Sequence, residues 1–180
     1  PGCRPGPRGS ARDPGSAAPG LLTYLNAVVP RSVARADHVL ADSQATRNDL
    51  IEVYGTPADK ITVLYCGVEE TFKPVTDAAM LRAVRERYRI GEAPFILAVS
   101  TLQPRKNYVR LIEAVARIPD PEIRLVFAGG KGWLYDSIFA AVERHGLRER
   151  VTFAGFVDDA DLPALYSAAR ILAYPSLYEG

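Results

Sequence analysis

The sequence predicts an α/β protein built on a doubly wound parallel sheet. Three observations carry that expectation. From Pro94 onward, four short apolar runs read "FILAV" (95–99), "IRLVFA" (123–128), "VTFA" (151–154) and "ILAY" (171–174). Each run is continuously apolar rather than alternating, as expected of strands covered on both faces. Three segments of helical periodicity lie between them, which gives the strand–helix–strand repeat of right-handed crossovers.

The elements follow in order. Residues 1–20, "PGCRPGPRGSARDPGSAAPG", hold five Pro and five Gly and no Leu, Ile, Val or Phe. Such a stretch cannot offset its ordering entropy by burial, so it is expected to be disordered. Order is expected from about Leu21. "HVLA" (38–41) is a short strand, and Ser43 is placed to cap a helix over 44–54 that Gly55 closes. "ITVLY" (61–65) is β-branched and ends at the Cys66-Gly67 turn. Val68–Pro74 reads as a connector. The helix after it, 77–88, places Met80, Leu81, Val84 and Tyr88 on one face. Within the regular part, a helix over 108–118 enters through Asn107, one over 134–145 ends on Gly146, and one over 160–169 follows Asp158 and Asp159. Sheets of this type usually carry five or six strands. The fourth run ends six residues before Gly180, so this domain is expected to be incomplete on its C-terminal side.

Composition narrows the function. With 180 residues, 48% hydrophobic and 24% charged, the chain can bury a sizeable core. A net charge of +1 argues against a polyanionic partner such as nucleic acid. Two cysteines, Cys3 and Cys66, make neither a disulfide framework nor metal-ligand spacing, which points to a reducing cytoplasm. No apolar run approaches the roughly 18 residues of a membrane span. No cofactor motif appears: "GxGxxG" and "GxxxxGK[ST]" are both absent.

In an open parallel sheet, ligands bind beyond the carboxyl ends of the strands. The loops there are "STLQPRKN" (100–107), "GGKGW" (129–133), "GFVDDAD" (155–161) and "PSLYEG" (175–180). Arg105 and Lys106 precede a helix N-terminus, a combination that suits a phosphate or a diphosphate, although solvated cations give the same local pattern. Gly129 and Gly130 permit close backbone approach or are ordinary turn glycines. Trp133 is expected to pack in the core or against a helix rather than to serve as a stacking platform. Asp158, Asp159 and Asp161 read as a solvated helix start rather than a metal site. Glu179 follows a buried strand and should project into the crevice. A carboxylate there can hold sugar hydroxyls or act as a base, or it is an ordinary loop glutamate. His38 and His145 read as structural.

Together the loops resemble the C-terminal half of a retaining glycosyltransferase of family 4, with the GT-B fold. The likeness begins with "ADHVLADSQATRNDLIEVYGTPADKITVLYCGVEETFKP", similar to the end of the N-terminal domain and the interdomain connector. "FILAVSTLQPRKNYVRLIEA", "LVFAGGKGWLYDSIF", "VTFAGFVDDADLPALYSAA" and "AYPSLYEG" follow in the family's order. The resemblance implies a remnant of the N-terminal domain and connector over 21–74 and a truncated Rossmann-like, nucleotide-sugar-binding domain over 75–180. The loop forms look most like those of bacterial mannosyl or rhamnosyl transferases of surface polysaccharide.

The resemblance further implies hexosyl transfer from a GDP-, UDP- or dTDP-sugar to a glycan or lipid-linked acceptor, with retention and without a metal. The full-length protein would lie in the cytoplasm, at the inner face of the membrane. Arg105 and Lys106 would hold the donor diphosphate, and Phe156 and Val157 would contact the base. Glu179 would touch the transferred sugar as the catalytic-site carboxylate. Thr101, Gly129, Gly130 and Lys131 would belong to the donor loops. Many members carry Gly-Arg where this chain has Ser100-Thr101, so Arg105 is expected to take that arginine's role. The connector reads Cys66-Gly67-Val68-Glu69 where Asn-Gly-Val-Asp is common. The family's second glutamate and most of its N-terminal domain lie outside this chain, which alone is expected to be inactive. The alternative is a non-catalytic nucleotide- or phosphate-binding module.

Overall fold

The structure, a computed structural model, describes residues 19–179. The disorder expected for residues 1–20 therefore falls outside the described residues, except at Pro19 and Gly20, which open a helix. Contacts divide the chain into two compact units. One runs to Gly67 and takes in Tyr178–Gly180, and the other is Val68–Leu177.

In the first unit, α1 (Pro19–Arg35) precedes β1 (Val39–Ala41), α2 (Gln44–Tyr54) and β2 (Ile61–Val63). The sequence does not announce α1, because Pro30 interrupts its interior and removes a backbone donor. The two strands pair in parallel, Val39 opposite Ile61, around a small core of Ala41, Leu50 and Ile61. Helix α2 begins and ends as its sequence demands. Ser43 accepts the Thr46 N–H at 2.9 Å, and Gly55 takes φ 64 to close the last turn. Lys60 Nζ donates to the Val33 and Ala34 carbonyls, both at 3.1 Å, at the C-terminal end of α1, where a cation is favoured. The Tyr178 hydroxyl donates to Asp49 of α2. Burial, with Asp49 second, pushes that phenol up to about 12.

In the second unit, α3 (Ala78–Arg87), β3 (Phe95–Val99), α4 (Tyr108–Ala116), β4 (Arg124–Ala128), α5 (Asp136–Arg144), β5 (Val151–Gly155), α6 (Leu162–Ala168) and β6 (Ile171–Leu172) alternate. The four strands are all parallel, in the order β5-β4-β3-β6. The period of two along each strand sends alternate side chains to opposite faces. Ala98, Leu125 and Phe127 meet Tyr108, Ile112, Val115, Ile138 and Ala141 from α4 and α5. Phe95, Leu97, Val126 and Ala128 meet Val84, Ala164 and Leu165 from α3 and α6. Phe95, Leu97, Leu125 and Phe127 are fully buried, each stabilising the fold by roughly 1.5–3 kcal/mol. The two central strands therefore make the frame on which the loops are held.

Residues 68–74, read as a connector, group with the second unit: the Phe72 ring meets Tyr166 edge-on at 6.1 Å and the Val75 N–H donates to Ser167 at 2.9 Å. Two expectations are corrected here. Met80 does not join Val84 inside; it is 51% exposed and lines a groove of about 570 Å³ with Phe72, Val75 and Pro163. The last run is not a buried strand: only Ile171 and Leu172 pair, and both are exposed at the sheet edge. Among the described residues, no helix is long and apolar enough to cross a membrane.

Candidate functional site

The strand order sets the location. From β3 the chain steps to β4 and β5 on one side, then returns to β6 on the other. Such a reversal leaves a crevice beyond the carboxyl ends of the two strands that flank it, here β3 and β6. Past β6 the Ala173 N–H still donates to the Leu97 carbonyl of β3 at 2.7 Å, and the loops that leave the two strands are then stitched together. The Leu177 N–H donates to the Arg105 carbonyl at 3.0 Å. Asn107 Nδ2 donates to the Pro175 carbonyl at 3.1 Å, and Lys106 Nζ to the Tyr174 hydroxyl at 3.3 Å.

Local sequence explains the shape of the first loop. Pro104 starts a 3₁₀ turn over Pro104–Lys106, which Asn107 ends in the left-handed region at φ 58. Asparagine tolerates that region better than other non-glycine residues. The expected Asn107 cap is not made, because its side chain reaches Pro175 instead of the amides of α4. Lys106 is 6% exposed, so it is not a solvated cation. A buried ammonium needs partners, and the Tyr174 ring lies 5.1 Å from Nζ in addition to the hydroxyl contact. Arg105 is half-buried beside it. The buried oxygens Gln103 Oε1 and Ser176 Oγ, one in each loop, have no hydrogen-bond partner among the described residues.

The second loop continues the sheet. Pairing of β3 with β4 extends through Ser100 N–H to Ala128 O, Leu102 N–H to Gly130 O and Gly132 N–H to Leu102 O, at 2.9, 2.9 and 3.1 Å. Gly129 is required for this approach: at its φ of 148, a Cβ would lie 2.1 Å from the Ser100 carbonyl oxygen. A Cβ on Gly130 meets nothing within 4 Å, so that glycine has no such role. Thr101 is exposed, and a Cβ on Gly132 would press on its methyl at 2.8 Å. The Lys131 ammonium sits 5.2 Å from the Tyr135 ring and 5.4 Å from the Phe139 ring. Trp133 is 44% exposed and so is not a core residue, while Tyr135 and Phe139 pack against the α4–α5 core.

In the third loop Phe156 is exposed and Val157 is buried against the α3–α6 side. Asp161 is not a solvated helix start. It accepts from Arg87 Nη1 at 2.6 Å and from the Tyr88 hydroxyl at 2.7 Å, which tie α6 to α3. The Tyr88 hydrogen bond and Arg87 hold its carboxyl below the usual carboxylate range. The Asp158 N–H in turn donates to Tyr88 at 3.2 Å. Glu179 is exposed and groups with the first unit.

Sequence reasoning missed Tyr174, which it placed inside the last strand. The available signal was an aromatic immediately before Pro-Ser, where a short edge strand must already have ended.

The parallel sheet thus carries a reversal of strand order with cations at its carboxyl end, the place where open α/β sheets bind ligands. Comparison with known proteins gives the family. Residues 82–180 match glycosyl transferases group 1, and residues 12–72 match glycosyltransferase family 4. The chain belongs to the group 1 glycosyl transferases. It is 34% identical over 163 residues to O-antigen chain mannosyltransferase B of Escherichia coli, covering 88% of this chain and 42% of that protein. It is 33% identical over 168 residues to a GDP-mannose-dependent α-(1-6)-phosphatidylinositol monomannoside mannosyltransferase of Mycobacterium tuberculosis, covering 89% and 41%. Among solved structures it resembles Anabaena HepE in complex with UDP and glucose, with a TM-score of 0.73 at 28% identity over 86% of this chain and 42% of that one. These structural neighbours are GT-B glycosyltransferases. The chain thus spans about two fifths of the length of each of these relatives.

Proposed function

We propose that this chain is the donor-binding part of an enzyme that transfers a hexosyl group from a nucleoside-diphosphate sugar to an acceptor hydroxyl, with retention. The observation that carries the reading is the pair Arg105 and Lys106 at the reversal between β3 and β6, with Lys106 buried and its loop pinned to the loop after β6. A leaving diphosphate gains charge in the transition state, so fixed cations there stabilise that state more than the bound donor. Thr101 carries no charge, and Arg105 supplies the second cation. Gly129 lets the second loop approach the first, and Lys131, held over two rings, contributes its charge from that loop. Phe156 and Val157 present their backbone to the base. Glu179, five residues after Tyr174 in the same loop, is the sugar-side carboxylate. For the whole protein we propose a glycan or lipid-linked acceptor and a peripheral place at the inner membrane face, by likeness to the mannosyltransferases above.

Calorimetry with UDP, GDP and their sugars on wild type and Lys106→Ala tests this. Binding that is much weaker in the variant supports the donor site, and equal binding by both contradicts it. Incubation of the chain with sugar nucleotides separates donor binding from turnover, and we expect binding without transfer.

A further inference from the structure

We propose that Tyr174 is both the positioning residue for Lys106 and a further hydrogen-bond donor to the anion that Lys106 binds, an inference that rests on the diphosphate-site reading above. The hydrogen-bond direction is the starting point. An ammonium can only donate, so at 3.3 Å the Tyr174 oxygen is the acceptor. The phenol keeps its own O–H to give elsewhere. An O–H whose oxygen accepts from a cation is polarised and donates more strongly.

The exposures set the direction in which the pair faces. Lys106 is 6% exposed and Tyr174 is 56% exposed, so of the two residues the tyrosine is the one more open to an incoming anion. The ring belongs to neither hydrophobic cluster of the sheet, so packing the core does not account for it. The ring centre lies 5.1 Å from Nζ, so the ammonium approaches this ring from its hydroxyl end.

Tyr174 is itself held firmly. The Ala173 N–H before it is bound to the Leu97 carbonyl of β3, and the Pro175 carbonyl after it accepts from Asn107. Both anchors come from the strand and loop that carry Lys106. An entering diphosphate therefore finds an ammonium and a phenolic O–H at a set spacing, with little reorganisation required.

The test is calorimetry with inorganic pyrophosphate and with UDP on the full chain, using Tyr174→Phe, Tyr174→Leu, Lys106→Met and the double variant Lys106→Met with Tyr174→Phe. Tyr174→Phe keeps the ring, and its thermal midpoint reports any loss of fold. We expect Tyr174→Phe to weaken both ligands about tenfold, the change that goes with one hydrogen bond to a charged group, and Tyr174→Leu to weaken them further. In the Lys106→Met background, Tyr174→Phe should add less than its single effect, since its positioning role then has nothing to position. A Tyr174→Phe chain that binds like wild type, while Lys106→Met binds weakly, overturns the inference and leaves the diphosphate site standing. Additive effects of the two changes overturn the positioning role. Wild-type-like binding by Lys106→Met overturns the site and the inference with it.

Discussion

The Leu177 N–H donates to the Arg105 carbonyl at 3.0 Å, and this bond joins the ends of two loops that leave neighbouring parallel strands. Arg105 follows β3 and Leu177 follows β6, so the bond closes over the point where the strand order reverses. A basic pair held this way differs from a basic pair on a solvated turn. Its position is determined by backbone geometry, and its attraction for an anion is less diluted by water.

Asn107 is the second stitch, and its backbone and side chain can be tested apart. Asn107→Gly keeps the left-handed backbone and loses the bond to Pro175, so stability should stay near wild type while pyrophosphate binding weakens. Asn107→Ala also forces an alanine to φ 58, which costs about 1–2 kcal/mol. Urea unfolding of the two variants measures the difference, and equal stabilities would contradict this account.

Gly129 and Gly130 are neighbours with opposite expectations. A Cβ at Gly129 meets the Ser100 carbonyl at 2.1 Å, a backbone atom that cannot move without parting β3 from β4. Gly129→Ala should cost about 3 kcal/mol, at the upper end for overpacking. Gly130→Ala should lie within about 0.5 kcal/mol of wild type. Chemical denaturation of both decides it.

Much of this fold was legible in the sequence, and the exceptions have physical causes. The runs 95–99 and 123–128 became β3 and β4 because both faces of those strands are covered, which is what continuous apolar sequence specifies. At the edge the rule fails: Ile171 and Leu172 are as apolar as Leu97 but lie exposed, and pairing ends before Tyr174. Helical periodicity located α3 but could not show that Met80 lies in a groove while Val84 lies inside. The cations at the site were visible from their place before a helix. Their burial was not, because it comes from contacts distant in sequence, such as that of Lys106 with Tyr174, 68 residues away.

Asp161 links stability to acid. Its folded pKa is depressed, first by the Tyr88 hydrogen bond and then by Arg87. Its contribution is therefore complete above the ordinary carboxylate value of 3.8 and is lost as pH falls through the lower folded value. Wild type should lose more stability than Asp161→Asn over that acidic window. Parallel pH profiles from thermal melts would disprove the assignment.

Tyr178 titrates at the other end of the scale. Burial and Asp49 raise the phenol from 10.0 to about 12. Its stabilising contribution is present below 10.0 and is lost as pH rises from there to about 12. Ultraviolet titration of phenolate should show one tyrosine fewer ionising late in Tyr178→Phe. An unchanged late phase would contradict the Asp49 contact.

The central claim is that the diphosphate binds where the loops after β3 and β6 meet. At 19.6 kDa the chain is suited to amide NMR with GDP or UDP added stepwise. The account predicts that the largest shifts fall in residues 100–107 and 173–177, with smaller ones at 129–133, and that Lys106→Met needs much more ligand to produce them. Shifts centred instead on the groove of Phe72, Val75 and Met80, or unchanged by Lys106→Met, would contradict it.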